Sequence, residues 1–267
     1  MRRRSTWLLM VMACTGSVGT PAFAQSTHDE LLRPYVPAVS METDRRTTPE
    51  DWARRNGSDK SNTAERYGAT GLVRCGGAVG TAQLTLRNDI ITTAAHVLIG
   101  TNGARTSCTF QSAGKGAPVA IDPNSIKAGS QSPLSDLATR DWAVARLMRP
   151  IRNATPYGLA RAGGNPGGVF MYAGGNKRAD RMGAEQCRAR GTLATSPEGV
   201  REFAIDCNAA PGSSGAALTR GHKVVGIYVG YRSTDPARAQ AFSATHYNFA
   251  ITVEGPFRRA VLAAAAR

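Results

Sequence analysis

The stretch Asn88-Asp89-Ile90-Ile91-Thr92-Thr93-Ala94-Ala95-His96 decides the fold. Asn88-Asp89 is a turn pair, and the four β-branched residues after it run straight as a strand. On the other side of the turn, strand-like sequence begins around Gly71 and continues through Gln83 to Arg87, so the segment reads as a hairpin that ends on a histidine. Ala94 and Ala95 let the backbone turn tightly against a neighbour. A lone histidine is ordinarily a hydrogen-bonded core or surface group, but a half-buried imidazole fixed at a strand end is also what a general base requires. His28, His222 and His246 have no comparable context.

Two other segments supply what such a histidine needs. Arg140-Asp141-Trp142-Ala143-Val144 places a carboxylate at the head of an apolar strand. Alone this is an ordinary strand-start acid; beside a histidine it accepts a hydrogen bond from Nδ1–H, fixes the tautomer and stabilises the imidazolium. Ala210-Pro211-Gly212-Ser213-Ser214-Gly215-Ala216-Ala217 is a tight turn of small residues whose backbone can come close to a carbonyl group. Alone it is a loop between strands.

Outward from these segments, short apolar runs recur at Trp142 to Leu147, Gly168 to Ala173, Phe203 to Cys207 and Val224 to Val229, separated by loops rich in Gly, Asn, Ser and Pro. The 29 glycines and 14 prolines agree with an all-β chain of short strands, and hairpin-sized separations suit barrels. Pro256 opens an alanine-rich run, Phe257 to Ala264, that favours a short helix. At 267 residues the chain can bury a substantial core without a metal.

Taken together and in this order, Thr93-Ala94-Ala95-His96, Asp141-Trp142-Ala143-Val144 and Gly212-Ser213-Ser214-Gly215 resemble the three signatures of the trypsin-like, or chymotrypsin-fold, serine peptidases. The resemblance covers Gly71 to the C-terminus, and Pro211 to Gly215 with Asn248-Phe249-Ala250 is most similar to the bacterial, glutamyl-endopeptidase-like branch. It implies two packed six-stranded antiparallel β-barrels, with His96 and Asp141 from the first and Ser214 from the second. It also implies an endopeptidase in which Ser214 attacks the peptide carbonyl, His96 carries the proton and Asp141 orients His96. In the family register the amides of Gly212 and Ser214 form the oxyanion hole. Two positions depart from the pattern: Ser213 stands where the family has an acid, and Ala216 where it has a second glycine. Ser213 removes the carboxylate that a newly cut N-terminus would grip.

The resemblance places the first substrate pocket at Asn208 and along Gly226 to Gly230, with Tyr228 and Gly230 as lining residues. With no carboxylate at Asn208, cleavage after Lys or Arg is not supported, although Asp206 is close by. The glutamyl branch has a histidine where Tyr228 stands, so the preferred residue stays open. The chemistry requires no cofactor or metal, and no Cys-x-x-Cys pair suggests a zinc site.

At the N-terminus, Arg2-Arg3-Arg4, the apolar run Trp7 to Ala13 and Ala22-Phe23-Ala24 have the form of a signal peptide over residues 1–24. Residues 25–67 are polar, with dibasic pairs at Arg45-Arg46 and Arg54-Arg55, and read as a propeptide or extended arm ahead of a peptidase domain at 68–267. Export frames the cysteines: Cys75, Cys108, Cys187 and Cys207 form an even set suited to two disulfides. Three connectivities are open, and the local pairing Cys75 to Cys108 and Cys187 to Cys207 is favoured on the ground that each loop then encloses a catalytic segment. Loss of residues 1–24 removes three arginines and no acid from a formal charge of +14, leaving +11. The cations are scattered and no nucleic-acid module accompanies them, so the expected partners are protein or peptide substrates, with a monomeric, soluble product.

Two rival readings remain. An α/β-hydrolase esterase uses the same residue types, but its nucleophile elbow needs glycine where Ala216 stands, and its order runs Ser, acid, His. A silent protease-fold protein could instead hold an anionic partner on its basic surface.

Overall fold

The computed structural model describes residues 41, 43–57, 67–113, 116–164, 167–176 and 181–267. The expected signal peptide lies outside the described residues. Six strands close the first barrel: β1 (Thr70–Cys75), β2 (Ala78–Leu84), β3 (Ile90–Thr93), β6 (Thr109–Ser112), β7 (Val119–Ala128) and β8 (Ala143–Leu147), in the order β1-β2-β3-β8-β7-β6. A small hairpin, β4 (Ile99–Gly100) and β5 (Gly103–Ala104), leaves it between β3 and β6.

The second barrel follows the same plan with β10 (Gly168–Ala173), β11 (Gly183–Thr195), β12 (Arg201–Ile205), β13 (Ala217–Arg220), β14 (Lys223–Ser233) and β15 (His246–Thr252). Its order is β13-β10-β11-β12-β15-β14, closed by pairing of β13 with β14; β9 (Gly158–Leu159) adds a parallel edge to β14. The chain is therefore all-β with two six-stranded antiparallel barrels. Closure leaves few free edges, which explains why short strands suffice.

Each barrel fills its interior with alternate residues of its strands. Val73, Leu84, Ile91, Phe110, Ile121 and Val144 are buried in the first. In the second, Val169, Met171, Phe203, Ile205, Leu218 and Tyr228 surround the Cys187–Cys207 disulfide. The other disulfide joins Cys75 to Cys108, so the local pairing holds. The stated reason holds only for the first bridge, whose loop encloses His96; the second loop closes at Cys207, ahead of the Ser214 segment.

Two helices matter for the site. In the arm, α1 (Pro49–Arg55) starts where Thr48 Oγ1 accepts the Asp51 amide, a capping arrangement with Pro at the helix start. Sequence reading gave this stretch no helix. The only apolar ring it offers is Trp52, which packs on Phe170 of β10 at 5.2 Å between ring centroids. The expected C-terminal helix, a third one after the single turn described below, is Gly255–Ala265. It buries Phe257 and Val261, one turn apart, and Phe257 stacks on Trp142 at 5.2 Å and 10°.

Candidate active site

Strand register explains why His96 and Asp141 meet. Thr93 of β3 pairs with Ala143 of β8, so the chain leaving β3 and the chain entering β8 lie at the same end of two neighbouring strands. On one side Ala94 starts a single helical turn, α2 (Ala95–Leu98), which carries His96. On the other, a 3-10 turn at Ala138–Arg140 delivers Asp141 just before β8. The carboxylate then holds the histidine twice: Oδ2 lies 2.6 Å from His96 Nδ1, and Oδ1 accepts the His96 backbone N–H at 2.9 Å. Asp141 is 0% exposed. A buried carboxylate on Nδ1 keeps the proton there and leaves the lone pair on Nε2.

Ser214 sits on the loop between β12 and β13, and that loop docks on the first barrel beside the His96 turn. Thr81 of β2 donates its amide to Ser214 O at 2.8 Å and its hydroxyl to Gly212 O at 2.7 Å. Gly215 has φ +86, and a Cβ there would lie 2.7 Å from Ala94 N and collide with Thr93 Oγ1. Only glycine lets the Ser214-bearing loop come this close to the turn that carries His96. Within the loop, Ser213 N–H donates to Ala210 O at 2.9 Å, and Ser213 Oγ donates to Gly174 O at 2.7 Å. Ser213 is thus spent on structure. Neither the Gly212 nor the Ser214 amide has an acceptor among the described residues.

The expected pocket residues are all buried. Asn208 donates its amide to Glu185 Oε2 at 2.9 Å, and its Nδ2 lies 3.1 Å from both Glu185 Oε1 and Thr43 O. Burial pushes the Glu185 carboxyl above its usual range, opposed by the Asn208 amide and the Arg45 guanidinium. Tyr228 is 0% exposed, and its hydroxyl donates to Asn248 Oδ1 at 3.1 Å inside the second barrel. The same burial drives the phenol well above its usual value. Gly230 lies buried on β14. Asp206 accepts the Arg188 amide at 2.7 Å and pairs with Arg190. Among the described residues there is no group of three His, Cys, Asp or Glu side chains placed to hold a metal, and no helix long and apolar enough to cross a membrane.

Sequence reading missed Thr81, Gly174, Gly175, Glu185 and the arm residues Thr43 to Thr47. Thr81 sits inside an ordinary strand pattern, and nothing local marks it. Arg45-Arg46 carried a signal, a dibasic pair, but one that suggested processing rather than packing.

No family model matches this sequence, and no curated protein matches it. Solved structures do. A Glu endopeptidase in complex with MPD is 13% identical, covering 86% of this chain and 100% of its own at a TM-score of 0.63. The protease Anisep from Arthrobacter nicotinovorans is 13% identical over 76% of this chain and 98% of its own, with a TM-score of 0.54. A scabies mite inactivated protease paralogue is 14% identical over 76% and 95%, with a TM-score of 0.53. The chain has the double-barrel fold of the trypsin-like serine proteases. That fold hosts both working and inactivated members, so the fold alone does not decide the chemistry.

Proposed function

We propose that the protein is an exported serine endopeptidase that hydrolyses peptide bonds through His96, Asp141 and Ser214. The observation that carries this reading is the double grip of the buried Asp141 carboxylate on His96, next to a loop that brings Ser214 and two uncommitted amides to the same edge of the first barrel. In this mechanism His96 Nε2 takes the Ser214 hydroxyl proton as Oγ attacks the peptide carbonyl. The Gly212 and Ser214 amides stabilise the oxyanion of the tetrahedral intermediate. Collapse of the intermediate releases the amine, which receives the proton from His96; water then repeats the sequence on the acyl-enzyme. Asp141 stays ionised throughout and holds the ring. Losing one oxyanion donor costs such a site about 2.7–4 kcal/mol of transition-state stabilisation.

Export is supported by the signal-like residues 1–24 and by the two disulfides, which persist in oxidising compartments. The bound substrate is a protein or peptide chain; the residue preferred ahead of the cut is to be read from cleavage of a peptide library.

The test is labelling with a fluorophosphonate probe and mapping of the modified peptide. The expected result is modification at Ser214, abolished in Ser214→Ala and in His96→Ala, with turnover of a peptide substrate lowered on the order of 10⁶-fold in each variant. A folded wild-type protein that takes no label and cleaves no peptide overturns the reading, and leaves a protease-fold binding protein with a basic surface in its place.

A further inference from the structure

Arg46 belongs to a surface arm, yet its side chain is only 5% exposed. Asp44 aligns it: Nε and Nη2 donate to the two Asp44 oxygens at 2.9 and 2.8 Å, a fork-to-carboxylate pairing that fixes the guanidinium plane. The remaining nitrogen, Nη1, donates to Gly175 O at 3.0 Å.

Gly175 is no ordinary loop acceptor. It has φ +91, and a Cβ on it would lie 2.8 Å from Pro211 O and 3.1 Å from Ala210 Cβ, so its backbone leans directly on the peptide that opens the Ser214 loop. One residue earlier, Gly174 O accepts the Ser213 hydroxyl and Gly174 N–H donates to Thr81 Oγ1 at 2.9 Å, the same hydroxyl that grips Gly212 O. Gly174-Gly175 is therefore the plate on which residues 210–213 are built. Ser213 and Thr81 hold one end of it, and Arg46 holds the other.

The arm that carries Arg46 is itself strapped to the second barrel. Thr47 exchanges both backbone hydrogen bonds with Ala184, at 3.0 and 2.8 Å. Arg45 reaches Glu185 Oε1 at 2.9 Å and Asp206 O at 2.8 Å, and Thr43 O accepts from Asn208.

We propose that Arg46 is a positioning residue that orders the Ser214 loop from within the chain, through the Gly174-Gly175 carbonyls, where Ser213 leaves no carboxylate for an ion pair to grip. The inference rests on the reading of Ser214 as the nucleophile. Its work is to keep the Gly212 and Ser214 amides aimed at the oxyanion, and a shift of about 1 Å in such a constellation lowers turnover on the order of 100-fold. A cut between Arg45 and Arg46 would then loosen the site rather than activate it, and any removable segment ends ahead of Thr43.

The experiment compares wild type, Arg46→Ala and Arg46→Lys by the second-order rate of fluorophosphonate labelling, by kcat and KM on a peptide substrate, and by thermal melting. The expected result for Arg46→Ala is a fall of roughly 10- to 100-fold in labelling rate and kcat, KM changed by less than about threefold, and partial recovery in Arg46→Lys, which keeps a donor but loses the fork. If wild type takes label and both variants take it at the wild-type rate well below their melting temperatures, the role of Arg46 is overturned while the hydrolase reading stands. If Arg46→Ala does not fold, Arg46→Lys decides by the same rate. A wild type that takes no label overturns the hydrolase reading, and this inference with it.

Discussion

In the first barrel, His96 and Asp141 come from facing ends of two paired strands, and one carboxylate holds both the ring and the backbone of the histidine. In the second, Ser214 sits on a loop held by hydrogen bonds to Thr81 of the other barrel and to Gly174, packed closely against Thr93 at Gly215, with an arm that begins far upstream reaching Gly175 beneath it. The first arrangement is local once the register is set. The second is assembled from hydrogen bonds between segments distant in sequence, most of them from a side chain to a backbone carbonyl. The proposed base is thus built into a strand pair, whereas the proposed nucleophile and oxyanion donors are placed by the assembled molecule. Substitutions in the two regions should therefore fail differently, the first in chemistry alone and the second in chemistry and stability together.

Short of removing Ser214 or His96 outright, the largest effect is expected at the first region. Asp141→Asn keeps the size and one acceptor but no longer favours the proton on Nδ1, so peptide turnover should fall about 10⁴-fold while the fold persists. Steady-state kinetics alongside a melting curve check this. A variant with near-wild-type turnover would mean that the double grip on His96 does not set its tautomer.

Next comes Gly215→Ala, which tests the contact between the two regions. The added methyl collides with Thr93 Oγ1 and Thr81 O on a backbone at φ +86. Overpacking and a left-handed alanine together should cost about 2–5 kcal/mol of stability in denaturant unfolding. An unchanged midpoint would show that the Ser214 loop can lift off the His96 turn freely.

These contrasts also explain what was legible in the sequence. The hairpin into His96, the Asp141 strand and the Gly212 to Gly215 turn each carry local signals, because β-branched runs, strand-start acids and small-residue turns are written in consecutive residues. Their order carries the family resemblance, and the resemblance implies two barrels, which the structure has. The strand β11 was missed, since its alternating pattern places Arg188 and Arg190 on an outer face and dilutes the apolar signal. Helix α1 was missed because Trp52 and Ala53 offer too little periodicity to stand out, and its stability comes from the cap and from Phe170. Thr81 was invisible for a different reason: a threonine in a strand is unremarkable until the partner loop arrives across the interface. The strap of Thr43 to Thr47 reads in sequence as part of a propeptide or extended arm and no further, because dibasic pairs look alike whether a protease or a buried acceptor meets them.

A smaller effect is expected for Thr81→Val. The swap keeps shape but strips the hydroxyl that accepts Gly174 N–H and donates to Gly212 O. A buried amide left without its partner costs about 1–3 kcal/mol, so the melting temperature should drop and the labelling rate at Ser214 should fall with it. Loss of stability with an unchanged labelling rate would separate the two properties that the second region is argued to join.

The smallest effect concerns the charge under the arm. Burial raises the Glu185 carboxyl above its usual value despite Arg45 and Asn208, so the folded state holds this proton more tightly than the unfolded chain does. Its contribution to stability is full below the unfolded value of about 4.3 and declines as the pH climbs through the folded value. Glu185→Gln removes that slope while disturbing the Arg45 and Asn208 contacts by a similar amount at every pH. Melting curves of both proteins between pH 4 and pH 7 should therefore show the variant gaining on wild type as the pH rises. The opposite trend would mean that Arg45 holds Glu185 ionised in the folded protein. The strap would then be a charge contact sensitive to salt, rather than one governed by the cost of burying a carboxylate.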